Sequence, residues 1–174
     1  MTRSVPPLAF ITGASSGIGQ ALAARYAAAG WRLAPVARRT EVIERWASDT
    51  GLTSDRWQAY GADVAEPDQI VAAGQACLAG QGVPEVVIAN AGISVGIDTA
   101  ERDDLAVMAH TFAVNNTGMA ATFHPFIPSM RERGSGRLVG IASVAAIRGL
   151  PGHGAYCASK AAVVAYCESL RGEL

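Results

Sequence analysis

Short apolar runs alternate along the chain with longer alanine-rich stretches whose apolar positions recur every three or four residues. "LAFIT", Leu8 to Thr12, predicts a buried strand, and "GQALAARYAAAG" after it predicts a helix that Gly30 stops. Trp31 to Ala37 predicts a second strand, although Pro35, with no N–H to give a ladder, argues against a central place for it. "TEVIERWASDT" predicts a helix with Thr40 as N-cap, Arg56 to Asp63 a third strand, and "EPDQIVAAGQACLAGQG" a helix with Pro67 near its start. "PEVVIANAG" follows as strand and loop. A long helix is then predicted from about Glu101 to Arg133, a fifth strand "RLVGIAS" that Ser143 ends, and a final helix from about Gly154 onward.

Strand alternating with helix predicts an α/β fold, a doubly wound parallel sheet with helices on both faces, because right-handed crossovers leave few other arrangements. At 174 residues the chain suits a single domain over 1–174. No internal repeat, linker or low-complexity tract interrupts it.

Composition narrows the functional classes. Half the residues are apolar and the formal net charge is -1, so no cationic field gathers nucleic acid or anionic lipid. No apolar run reaches the roughly 18 residues that a membrane helix needs. Cys77, Cys157 and Cys167 form no CxxC pair and are odd in number, which favours free thiols in a reducing, cytoplasmic setting over a disulfide framework. His110, His124 and His153 have no ligand spacing, so no metal site is expected.

The first chemical motif is "TGASSGIG", Thr12 to Gly19, at the junction of the first strand and helix. Gly13, Gly17 and Gly19 let the backbone turn tightly and approach a pyrophosphate, whose charge the amides and positive helix end would meet. An ordinary glycine-rich turn would read the same, and the Gly-x-x-x-Gly-x-Gly spacing differs from GxGxxG. The second motif is "YCASK". Lys160 is the only lysine in the chain and stands four positions after Tyr156, so on a helix the two share a face. An ammonium beside a phenol, whose ordinary pKa is about 10, favours phenolate and makes tyrosine a usable acid or base. Taken alone, the pair also fits a surface tyrosine and lysine at helical spacing.

Together these motifs resemble the short-chain dehydrogenases/reductases, in the compact branch built as single three-layer Rossmann-type domains. "NAG" at Asn90 to Gly92, Asn115 in "VNNTG", Ser143, and "YCASK" thirteen positions after Ser143 extend the resemblance along practically the whole chain. The resemblance implies an NAD(P)-dependent oxidoreductase that moves hydride between a nicotinamide cofactor and a small-molecule carbonyl or alcohol. It implies Tyr156 as general acid/base, Lys160 both lowering the phenol's pKa and holding the ribose hydroxyls, and Ser143 orienting the substrate oxygen. Asn115 would hold a water linking Lys160 to solvent; Val114 and Gly118 select it over Asn116. Ser159 is assigned packing or capping only.

The same resemblance implies cofactor contacts from Gly13, Ser15, Ser16, Gly17, Ile18 and Gly19, from Asp63 and Val64 at the adenine, and from Asn90, Ala91 and Gly92. Tyr156 and Lys160 would touch the cofactor as well. Ala37 stands where an acidic residue would grip a ribose 2'-hydroxyl, about 20 residues after the loop, while Arg38 and Arg39 can neutralise a 2'-phosphate. A solvated arginine pair before a helix would read the same, at Arg39 in particular; with Ala37 in the acidic place, NADP(H) is favoured over NAD(H). Family members commonly pair through the long and final helices, so a homodimer or homotetramer is expected, with no nucleic acid or membrane partner. Relative to the family pattern the chain looks truncated after the sixth helix, without the last strands and substrate lid. The alternative is therefore a cofactor-binding regulatory or assembly protein of the same fold without efficient turnover.

Overall fold

The computed structural model describes residues 5–174; the first four positions of the domain expected over 1–174 lie outside the described residues. β1 (Leu8–Thr12) is buried along its whole length and lies between β2 (Arg32–Ala37) and β4 (Val86–Ala89). β3 (Tyr60–Gly61) and β5 (Arg137–Gly140) complete a five-stranded sheet ordered β3-β2-β1-β4-β5, parallel throughout. The strand order reverses between β1 and β4, and such a switch point opens a crevice beyond the strands' carboxyl ends.

Around the sheet run α1 (Gly17–Ala28), α2 (Thr40–Asp49), α3 (Pro67–Gln81), α4 (Asp104–Phe112), α5 (Gly118–Phe123), α6 (Ile127–Arg133) and α7 (Gly154–Glu173). Alternation along β1 divides the core by face. Ala9 and Ile11 pack with Leu33, Ile43, Val86 and Ile88, and with Leu22 and Tyr26 of α1 and Trp46 of α2. Leu8 and Phe10 join Ile70 of α3, Phe123 of α5 and Val163 of α7 on the other. There the Phe10 and Phe126 rings meet tilted at 4.8 Å, an aromatic pairing worth about 1 kcal/mol beyond its buried area. Among the described residues no helix is long and apolar enough to cross a membrane.

Several elements differ from expectation. β2 is interior despite Pro35. Leu33 O accepts from Gln58 N and Ala37 O from Ala62 N, so the odd positions of β2 bond toward β3. Pro35 lies between them, and its missing donor falls opposite the gap separating the Leu33–Trp57 bridge from Tyr60. That gap also shortens β3 from the expected Arg56–Asp63 to two residues, with a 3-10 turn at Ser54–Arg56 before it.

The expected helix from Glu101 to Arg133 is three helices. A π turn at Ala113–Thr117 separates α4 from α5, and α5 ends at Phe123, before Pro125. Proline has no N–H for the helical ladder, and its ring would press on the carbonyl four residues back, so helix resumes only at Ile127. β5 stops at Gly140, leaving Ser143 beyond the strand as N-cap of a 3-10 turn, Val144–Ala146. Thr40 is the first residue of α2 and not its cap; Arg39 holds that place without a side-chain cap bond.

Candidate active site

The crevice at the switch point has a volume of about 420 Å³ and lies on four loops. The β1–α1 loop supplies Gly13 and Ser15 to Ile18, the end of β2 supplies Val36 to Arg39, β3 leads into Ala62 to Val64, and β4 into Asn90 to Ile93. His110 and Val114, one helical turn apart, close it from α4 and the π turn. Every cofactor residue expected from the glycine loop, the β2 end, the β3 end and "NAG" lines this space except Gly19, which is buried behind it.

The loop's backbone shape and its packing against the loop after β4 both depend on glycine. Gly13 and Gly17 have φ of +67° and +54°, which side-chain-bearing residues avoid. At Gly19 a Cβ would overlap the Gly13 carbonyl and lie 2.6 Å from Asn90 Nδ2. α1 then begins at Gly17 with no acidic residue in its first turn and no side-chain cap from Ser16, so its amides and positive end remain available to an anion.

Thr12 joins this loop to the one after β4. Its Oγ1 accepts from Asn90 N and from Ala91 N, both at 3.1 Å, and Asn90 Nδ2 donates to Thr12 O at 3.0 Å. Thr12 is buried at 1% exposure; it opens the "TGASSGIG" motif, but nothing in the sequence pointed to a role for its hydroxyl. At the other end of the crevice Arg38 and Arg39 are exposed, and Arg38 Nη1 lies 3.7 Å from Asp63 Oδ2. Asp63 also receives Ala65 N at 3.0 Å. His110 was not singled out for the site; four positions before Val114, it shares that residue's helical face.

Tyr156 and Lys160 do project from one face of α7. The Lys160 ammonium is 5.8 Å from the Tyr156 ring centroid and donates to Ile141 O at 2.7 Å. A Cβ on Gly92 would sit 3.4 Å from Lys160 Nζ and 3.1 Å from Asn115 Oδ1, so both side chains converge where "NAG" borders the crevice. Burial disfavours the ammonium and lowers the Lys160 pKa from its ordinary value. Ser143 follows Ile141 by two residues, and the turn that it caps packs on α7. Its Oγ accepts from Ala145 N at 3.2 Å, leaving the hydroxyl proton free to donate.

Asn115 is buried in the π turn, with Oδ1 accepting from Ile93 N at 2.8 Å and Nδ2 donating to Ile93 O at 2.9 Å. Ile97 N donates to Gly152 O at 2.8 Å, tying the loop after β4 to the one before α7. Val95, Val144, Ile147 and Leu150 are exposed on these same two loops. Among the described residues no group of three or more His, Cys, Asp or Glu is placed to hold a metal ion.

A family model described as short chain dehydrogenase matches residues 7–174. D-threitol dehydrogenase of Mycolicibacterium smegmatis is 35% identical over 166 residues, covering 95% of this chain and 64% of that protein. A short-chain dehydrogenase/reductase from Burkholderia phymatum, solved in complex with NAD, superposes with a TM-score of 0.88 at 30% identity, covering 100% of this chain and 62% of that one. An alcohol dehydrogenase from Thermococcus sibiricus, complexed with 5-hydroxy-NADP, gives 0.88 at 28%, covering 96% and 71%. The chain spans 51% to 65% of the length of the first three curated relatives that it matches.

Proposed function

We propose that this chain, which belongs to the short-chain dehydrogenase family, carries the nucleotide-binding and proton-transfer parts of an oxidoreductase acting on carbonyl or alcohol groups. One observation carries the reading. The single lysine is held by Ile141 O against Gly92 at the edge of the crevice, one helical turn from Tyr156.

The crevice fits a nicotinamide dinucleotide. Gly13, where a Cβ would meet Ala91 Cα at 2.9 Å, and the free first turn of α1 would receive the pyrophosphate; Asp63 and Val64 would meet the adenine, and Asn90 to Gly92 the ribose and nicotinamide side. Arg38 and Arg39, past a buried Ala37, favour a 2'-phosphorylated ribose and so NADP(H) over NAD(H). When bound, the nicotinamide supplies hydride to a carbonyl carbon or takes it from an alcohol.

The chain's own groups handle the proton. Tyr156 gives its phenolic proton to the substrate oxygen in reduction and removes the alcohol proton in oxidation. Ser143, with its hydroxyl proton uncommitted, donates to that oxygen and fixes it toward Tyr156. Lys160 spends one of its three donors on Ile141 O and keeps two for the ribose hydroxyls and the phenol's side of the cleft. Asn115 Oδ1 faces the same point beside Gly92, which supports a water between it and Lys160 as the proton's route. Val95, Val144, Ile147 and Leu150 would favour an apolar, uncharged substrate. Pairing into a homodimer or homotetramer and a cytoplasmic place complete the reading.

Oxidation of NADPH and NADH is followed over ketones, aldehydes and quinones, with the unmodified chain beside Tyr156→Phe. Turnover that Tyr156→Phe loses while it still binds NADPH is expected; equal turnover in the two would reject the reading.

A further inference from the structure

We infer that Ser159 is a positioning residue for proton transfer, tying the turn that carries Tyr156 to the loop after β4 through Asn115. The role presumes Tyr156 as acid/base, while the tie itself stands on geometry alone. Ser159 is wholly buried, three residues after Tyr156 and directly before Lys160.

A serine within a helix commonly satisfies itself on a carbonyl of the preceding turn. Ser159 does so, donating to Tyr156 O at 2.7 Å, and its oxygen also accepts from Asn115 Nδ2 at 2.9 Å. The other Nδ2 proton goes to Ile93 O, while Asn115 Oδ1 takes Ile93 N. Asn116 Nδ2 donates to Ser159 O at 2.8 Å. Adjacent residues of a regular α-helix point about 100° apart. The π turn changes that local winding, and both asparagines reach one residue of α7.

One hydroxyl is thus the joint between three separate segments. Removing it leaves an Nδ2 proton of Asn115 without an acceptor in a buried place and releases the Tyr156 carbonyl from its second bond. Packing alone would not require this: alanine fills nearly the same space. The geometry therefore makes the Ser159 oxygen, and not its volume, the feature that matters to Tyr156.

The test uses the 174-residue chain as Ser159→Ala, Ser159→Cys and Thr122→Val, the last removing another buried hydroxyl that bonds only within α5. Amide exchange at Ile93 should rise about tenfold in Ser159→Ala, partly recover in Ser159→Cys and stay unchanged in Thr122→Val. With the ketone that the unmodified chain reduces fastest, kcat should fall about tenfold in Ser159→Ala while the NADPH Kd stays within threefold. Unchanged exchange at Ile93, or kcat within twofold of the unmodified chain, overturns the inference. If Ser159→Ala does not fold, Ser159→Cys carries both readouts. Full activity in Tyr156→Phe would instead reject the acid/base reading, and the Ile93 exchange would still decide the tie.

Discussion

Thr12 Oγ1 accepts from the backbone N–H groups of Asn90 and Ala91, each at 3.1 Å, while Asn90 returns a bond from its side chain to Thr12 O at 3.0 Å. β1 and β4 are adjacent but diverge at their carboxyl ends, where the winding reverses. This pair bonds the two crevice walls to each other beyond the last rung of their ladder, Ile11 to Ile88. Thr12→Val keeps the shape of the side chain and removes the acceptor, leaving two amides to find other partners. A loss of about 1–3 kcal/mol in unfolding free energy is expected, together with weaker NADPH binding. Urea unfolding and fluorescence titration check it; unchanged values in both would show that the pair does not hold the site.

Lys160 gives the fold a pH dependence of definite sign. Its folded pKa is lowered by burial from the ordinary 10.5, so below that lowered value the fold carries a poorly solvated ammonium. As pH rises toward 10.5, the unfolded chain holds more protons at this site than the folded one, and stability contributed by the site increases. Lys160→Met removes the titration. Plotted against the unmodified chain, its relative stability should decline from neutral pH to 10.5, as read from urea midpoints; a flat or rising difference would contradict the sign.

The thiols should be silent in the folded chain. Burial pushes the Cys77 thiol up to about 12, and Cys157 is buried with its sulfur accepting from Leu150 N. Cys167 is half-buried, and burial raises its pKa as well. At pH 8 a disulfide reagent should react slowly with Cys167 and count all three thiols only after unfolding. Fast reaction at Cys77 would mean that the β3–α3 side of the core opens readily.

On the proposed reading, cofactor choice is set at the end of β2. Ala37→Asp with Arg38→Ala places a carboxylate where a ribose 2'-hydroxyl would be gripped and removes one phosphate partner. Charge-assisted hydrogen bonds of about 1.5–3 kcal/mol correspond to roughly 10–100-fold, so the ratio of NADPH to NADH affinity should fall by that factor. Parallel titrations with both cofactors measure it, and an unchanged ratio would remove these two positions from the cofactor reading.

The strands β1 and β4 and the helix α3 were legible because each depends on local pattern: an unbroken apolar run, or a proline opening an amphipathic stretch. The crevice-lining residues of the glycine loop, the β2 end and "NAG" were legible for a related reason, since each is a short segment at a strand's end. The Tyr156–Lys160 face needed only helical spacing. The interior place of β2 was not legible, because Pro35 is tolerated there only through a gap in the neighbouring strand's ladder. Nor was the break near Asn115: "VNNTG" holds poor helix formers, but the partners that Asn115 bonds in the π turn, Ile93 and Ser159, lie 22 and 44 positions away.

The residues by themselves thus determined which groups the chain owns, the α/β alternation and the side-chain pairs within one turn of each other, because those follow from periods of two and 3.6 residues. Tertiary structure decided which of those groups meet. Thr12 reaches Asn90, Asn115 reaches Ser159, and Lys160 reaches Ile141 only after the parallel sheet has stacked distant segments side by side, and buried polar atoms must then bond to whatever the packing has brought near.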